Sequence, residues 1–198
     1  FDLDVRLVKA NRSTQHWCVE LSQGGGEPAT LATAVFAERR PSWSHQQATM
    51  PEAKPFEEIR PYPKVAAEWV NQYDFRFVEG SVDLRGGAQP QPGSAFSKLW
   101  IGDRVPRKID CLSLVAISDA FFARIFHVRG ELVPIGTVSL TTYFHADADD
   151  LAGEDITRVL GVADAKIFHK SFGDQSGDLW SPSGRLLATT TQITYFKA

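Results

Sequence analysis

The stretch from Ile109 to His145 constrains the fold more than any other part of the chain. Apolar side chains recur at three- and four-residue steps from about residue 110 to residue 129, which predicts one long helix buried on most of its surface. A threonine-rich strand is predicted after it, over 133–145. One carboxylate, Asp119, lies on an apolar face of that helix, where burial without a partner would cost on the order of several kcal/mol. Asp119 is therefore the residue that most needs a functional explanation.

Alternating apolar residues predict antiparallel strands on both sides of this helix. Prolines punctuate residues 41–63, which predicts an extended connector, followed by a short helix over 64–70 and, later, a Gly/Pro/Gln loop over 86–93. The pattern as a whole predicts an α+β fold in which a curved antiparallel sheet wraps a long central helix. Strands are predicted at 1–7, 14–21, 29–37, 73–84, 133–145, 163–172 and 184–196, and residues 94–101 are a further short strand or an entry turn.

A faint internal repeat divides the chain. The tripeptide Leu31-Ala32-Thr33 recurs as Leu187-Ala188-Thr189, each time near the start of the last strand of its half. This favours two tandem copies of one unit, the first copy lacking its leading strand and helix. The chain opens at Phe1 with neither an initiator methionine nor a signal-peptide pattern. We therefore expect a fragment, or numbering that starts inside a longer gene product.

Composition excludes several classes of protein. A net charge of −3 over 198 residues gives no basic excess for nucleic acid, and no apolar run is long enough to cross a bilayer. The two cysteines, Cys18 and Cys111, are far apart in apolar elements, so we expect buried free thiols and a cytoplasmic location.

Three segments resemble the acyl-CoA thioesterase II family, whose fold is a double hotdog. They are LWIGDRVPRKIDCLSLVAISDAFFARIF, PIGTVSLTTYFH and GDLWSPSGRLLATTTQITYF. The resemblance implies that residues 1–40 are later strands of the first hotdog, which lacks its N-terminal strand and helix. It further implies that 41–72 are a proline-rich connector and that 73–198 are the second hotdog, which carries the site.

The resemblance also implies an activity. Members of the family hydrolyse a fatty acyl-CoA to the free acid and CoA, as enzymes of lipid metabolism that use no cofactor. The residues that match the family's catalytic aspartate, threonine and glutamine are Asp119, Thr137 and Gln192, which together would hold the attacking water. By the repeat offset Gln192 corresponds to Phe36, so we expect one active site per chain.

Alternatives to this function stay open. Asp119 could attack the thioester itself to form an anhydride, or could merely orient neighbouring backbone. The chain could be a non-catalytic acyl or acyl-CoA binding protein, or, as the weakest alternative, an acyl-CoA hydratase or dehydratase, because a fold does not determine its function. Hotdog units also pair through their sheet edges, so we expect a homodimer or a higher homo-oligomer.

Other kinds of site find little support. The histidines are not at metal-ligand spacings, so we expect no metal, and three serines lack the glycine-flanked elbow of a serine hydrolase: Ser113, Ser118 and Ser139. His145 could lie at the mouth of the site, although a surface or packing role fits better. The basic residues that precede the helix could meet the phosphates of CoA or form a solvated face; these are Arg104, Arg107 and Lys108.

Overall fold

The computed structural model describes residues 1–85 and 93–197, so the predicted loop over 86–93 falls almost wholly outside it. The chain forms two compact units, Phe1–His45 and Gln46–Ala198. No helix in the described parts of the chain is long and apolar enough to cross a membrane.

The first unit is a three-stranded antiparallel sheet, which confirms the antiparallel strands predicted before the connector. Its strands are β1 (Asp2–Ala10), β2 (Thr14–Ser22) and β3 (Thr30–Ala37), in the order β1-β2-β3. The alternating residues of β1 stay exposed, at 56% for Leu3, 55% for Val5 and 44% for Leu7. The apolar pattern of β1 is therefore not matched by a core inside this unit.

The second unit contains a seven-stranded antiparallel sheet. Six strands follow the order β4-β5-β7-β9-β10-β6, and β8 pairs with β9. The predicted strand over 163–172 is wrong, because the chain turns between 164 and 172 and a longer strand follows. The strands are β4 (Tyr73–Glu79), β5 (Ser97–Asp103), β6 (Ile135–Phe144), β7 (Val159–Asp164), β8 (Phe168–His169), β9 (Phe172–Trp180) and β10 (Leu186–Phe196).

The predicted single long helix is also wrong, since it is two helices separated by a turn. Asp110 caps the first one through a 2.7 Å bond from the Ser113 backbone N–H, and Gly130, at φ 68°, ends the second. Within residues 1–85 and 93–197 the helices are α1 (Glu68–Asn71), α2 (Cys111–Ser118), α3 (Arg124–Arg129) and α4 (Ala148–Glu154), with a 3₁₀ turn at Phe56–Glu58.

Two adjacent phenylalanines explain the break between α2 and α3. The ring of Phe121 lies against Gly161 and Gly177, where an added Cβ would come within 3.0 Å of ring atoms. The ring of Phe122 instead packs into an aromatic cluster, with its centroid 5.2 Å from that of Phe75. Because both rings are accommodated in different places, tertiary packing outweighs the helix propensity of this segment.

The structure also differs from the predicted burial of α2 on most of its surface. Leu114 and Ile117 are fully buried, but Leu112 is 75% exposed and Val115 45%. The helix is thus buried on one side only, and Asp119 follows its last residue as the C-cap on the open side.

The proline-rich connector is extended, as predicted, apart from its single 3₁₀ turn. Its residues 46–63, which belong to the second unit, pack across the outer face of the second sheet, where Trp100 donates its indole N–H to the Lys54 carbonyl at 2.9 Å. The guanidinium of Arg76 lies 3.7 Å above the ring of Phe56. The connector thereby covers one face of the sheet and leaves the opposite face to the helices.

Candidate active site

The three residues implied by the resemblance meet at one point of the second unit. Gln192 on β10 donates one side-chain N–H to Asp119 Oδ1 at 2.7 Å and the other to Thr137 Oγ1 at 2.8 Å. Asp119 comes from the end of α2 and Thr137 from β6, an edge strand of the sheet. The structure therefore brings together groups that are up to 73 residues apart in the chain.

A β-bulge in β6 turns Thr137 towards this point. Ser139 pairs with Ile193, and the next pair is Thr137 with Thr194, so Val138 is an extra residue on β6. Simple alternation from Leu140 would have directed Val138 inwards and Thr137 outwards. The bulge reverses this alternation, so Thr137 points inwards and its hydroxyl reaches the side-chain amide of Gln192.

The carboxyl group of Asp119 is partly desolvated, although the residue as a whole is exposed rather than buried. This burial raises the pKa of Asp119, and the N–H donated by Gln192 opposes the rise. A carboxylate with a raised pKa is a stronger base than a free aspartate, which suits proton abstraction.

A pocket of about 390 Å³ opens beside these groups. Asp119, Thr137 and Gln192 form its polar part, and the remaining wall is mainly apolar. That wall includes Trp69, Tyr73, Leu84, Phe122, Phe126 and Ile135. A pocket with a few convergent polar groups in an apolar wall is typical of a small-molecule site.

Sequence reasoning missed two residues behind the site, Gln175 and Arg124. Gln175 Nε2 donates to Gln192 Oε1 at 2.9 Å, and Arg124 Nε donates to Gln175 Oε1 at 3.1 Å. Both side chains are 3% exposed. Burial lowers the pKa of Arg124 to about 9, so it stays charged at neutral pH. The signal for Gln175 is its position directly opposite Gln192 on β9, which needs the strand register to be known.

The other candidates lie elsewhere. His145 Nε2 contacts Thr189 Oγ1 at 3.0 Å, on the other face of the sheet. Lys108 pairs with Asp155 at 2.7 Å, and Arg107 pairs with Asp103, which favours a solvated face over a phosphate site. Among residues 1–85 and 93–197, no group of three His, Cys, Asp or Glu side chains is placed to hold a metal ion.

Solved structures share the arrangement of the second unit, in which helices pack on an antiparallel sheet. The chain is similar to a conserved protein of unknown function with a hotdog fold from Alicyclobacillus acidocaldarius, at 38% identity and a TM-score of 0.89, over 99% of this chain and 72% of that one. It also has the fold of a TesB protein from Mycobacterium avium (20% identity, TM-score 0.75, 99% and 71% covered) and of an acyl-CoA thioesterase II from Mycobacterium marinum (17%, 0.68, 98% and 73%).

Family models make the assignment more specific. Residues 44–196 match the acyl-CoA thioesterase C-terminal domain, and residues 1–37 match the acyl-CoA thioesterase N-terminal domain. The chain therefore belongs to the acyl-CoA thioesterase family, a family of thioester hydrolases. No curated protein sequence matches this chain.

Proposed function

We propose that this chain hydrolyses a fatty acyl-CoA to the free acid and CoA, with Asp119 activating the attacking water. The observation that carries the proposal is the convergence of Asp119, Thr137 and Gln192 at the polar end of an apolar pocket. No metal or cofactor takes part in the proposed steps.

The geometry suits a water held between Asp119 and Thr137. Gln192 uses both of its N–H groups on these residues, so the Thr137 proton is free to point to the water oxygen. As that oxygen bonds to the thioester carbon, a water proton passes to Asp119. Collapse of the tetrahedral intermediate then breaks the C–S bond, and the sulfur leaves as the CoA thiolate or takes up the proton.

The pocket suits the acyl group rather than the whole substrate. Its volume of about 390 Å³ lies near the lower end of the range for ligand pockets, roughly 300–1,000 Å³. Its apolar wall would enclose a hydrocarbon chain, while the thioester would lie at the polar end beside Asp119. The CoA moiety would then extend outside the pocket.

Release of free CoA from a panel of acyl-CoA esters, short to long, tests this function. We expect turnover by the intact protein and its loss in Asp119→Asn, which keeps an oxygen to accept from Gln192. The variant should still bind a CoA ester, as measured by calorimetry. Binding without turnover by the intact protein would instead favour a non-catalytic acyl-CoA binding protein.

We also propose that the two units are parts of a double hotdog with one site per chain. The matches to the N-terminal and C-terminal domains of the family support the first part. Phe36, which replaces the glutamine in the first half, supports the second. The proposed division remains 1–40 for strands of the first hotdog, 41–72 for the connector and 73–198 for the catalytic hotdog.

We propose further that the chain assembles into at least a homodimer. The edge strand β6 is largely exposed, and so are the apolar residues Leu112 and Val115 of α2, which favours a covered surface in solution. Light scattering that shows only monomer at micromolar concentration would contradict this.

The free thiols of Cys18 and Cys111 support a reducing, cytoplasmic location, although both are half-buried rather than fully buried as predicted.

A further inference from the structure

We propose that Arg124, acting through Gln175, sets the direction of the hydrogen bonds at the active site and is thus a positioning residue for hydrolysis. The proposal rests on the proposed function and adds two residues to the site. Neither side chain touches the pocket that would hold the acyl group. The effect of Gln175 would pass through the amide of Gln192.

The guanidinium of Arg124 is fixed by surrounding oxygens. It donates to Ser97 Oγ at 2.6 Å, to the Ala95 carbonyl at 3.0 Å and to the Phe122 carbonyl at 3.0 Å. These acceptors lie on β5, just before it, and in the turn between α2 and α3. Arg124 therefore holds the turn that carries Phe122 against the sheet, and its own orientation is determined by partners other than Gln175.

The orientation of Arg124 determines the orientations of the Gln175 and Gln192 side-chain amides. An arginine side chain can only donate hydrogen bonds, so Gln175 has to present its oxygen to Arg124 and its NH₂ group to the other side. There, Gln175 Nε2 meets Gln192 Oε1 at 2.9 Å. Gln192 in turn has to present its own NH₂ group to Asp119 and Thr137, as the bonds of 2.7 and 2.8 Å require.

A reversed amide at Gln192 would remove both useful features of the site. Its oxygen would face the carboxylate of Asp119, where two acceptors repel each other. Thr137 would have to spend its proton on that oxygen instead of on the water. An ionised Asp119 already favours this orientation from one end of the chain of bonds, and the donor-only arginine fixes the same orientation from the other end.

Gln175→Glu tests the direction of the bonds without emptying the space. The glutamate can still accept from Arg124, which favours folding, but its second oxygen cannot donate to Gln192. We expect kcat to fall by roughly 10- to 100-fold with little change in KM. Gln175→Met, which fills similar space and forms neither bond, should lose less activity, because it releases Gln192 rather than reversing it.

Ser181→Ala is the matched control. It removes a buried hydroxyl, bonded to Ser183 Oγ at 2.7 Å just beyond the far end of β9, and should lower Tm while leaving kcat unchanged. If the Gln175 variants acted only by loosening the fold, they would behave like Ser181→Ala, with a lower Tm and an unchanged kcat.

A titration separates this proposal from the proposed function. The N–H from Gln192 holds the pKa of Asp119 down, so the pKa of Asp119 measured by carbon NMR should rise in Gln175→Met. An unchanged pKa would overturn the role of Gln175 whether or not the protein is active. If the intact protein turns over acyl-CoA and Gln175→Glu does so equally well, the positioning role is wrong and the function stands. If the intact protein turns over no ester but the pKa still rises, the hydrogen-bond chain stands and the function fails.

Discussion

Gly161→Ala should destabilise the second unit, because the ring of Phe121 occupies the space that the new methyl group needs. The added Cβ would lie 2.8 Å from Phe121 Cε1 and 2.9 Å from Cζ. Carbon atoms normally pack at about 3.5–4.0 Å, so the ring must retreat by roughly 0.7 Å or more. Gly177 carries the other edge of the same ring, which restricts that movement. Overpacking of this kind costs about 1–3 kcal/mol, or roughly 2–12 °C in Tm for a chain of this size.

Urea unfolding monitored by circular dichroism measures this cost, with two further variants. Phe121→Leu removes the two clashing ring atoms, so the double variant should be less destabilised than the sum of the singles, by about 0.5–3 kcal/mol. Gly153→Ala is the control: it is exposed within α4 with no atom within 4 Å of the added Cβ, and should stabilise by about 0.5–1 kcal/mol. A Gly161→Ala protein as stable as the wild type, or strict additivity in the double variant, would refute the packing argument.

Four further outcomes follow from the site and its surroundings. Thr137→Val should lower kcat by on the order of 100-fold in CoA-release assays, and Thr137→Ser should restore it, because the hydroxyl orients the water. Asp119 must be ionised to act as the base and its pKa is raised, so kcat/KM should rise with pH through an apparent pKa above the ordinary value of about 3.9. Because the N–H of Gln192 holds the pKa of Asp119 down, Gln192→Leu should move this rise in kcat/KM to higher pH. Burial and the nearby guanidinium of Arg124 lower the pKa of His127 to about 3, so the unfolded chain binds a proton on this histidine at a higher pH than the folded protein does. The free energy of unfolding, measured in urea, should therefore fall by about 1.4 kcal/mol per pH unit from roughly pH 6 to pH 3. His127→Leu should lack this pH dependence. Phe126→Ala should enlarge the pocket and shift kcat/KM towards longer acyl chains in the ester panel.

Strand β9 shows why part of the sheet escaped sequence prediction. Its buried positions are Gly173, Gln175, Gly177, Leu179 and Trp180, and the first three of these have no apolar side chain. Gly173 and Gly177 make room for the rings of Phe168 and Phe121, and Gln175 supports the site. The usual alternation of apolar and polar residues is absent because packing and function require other residue types there.

The helix and the site were predictable to different degrees. The start of α2 at Asp110 follows from a local cap, whereas its end at Ser118 depends on where two aromatic rings pack, which no local pattern contains. Thr137 could be found only through the family motif, because a bulge at Val138 reverses the side to which it points. The burial of Arg124 could not be predicted, because a single arginine in an apolar segment usually lies at the surface.

Single-turnover hydrolysis of an acyl-CoA in ¹⁸O-labelled water tests the central claim most directly. If Asp119 activates water, the released acid should carry one ¹⁸O, the carboxylate of Asp119 should stay unlabelled by mass spectrometry, and Asp119→Asn should release no acid above background. Label in Asp119 would show direct attack through an anhydride, and undiminished hydrolysis by Asp119→Asn would show that the base is another group. Either result would contradict the account given for this site.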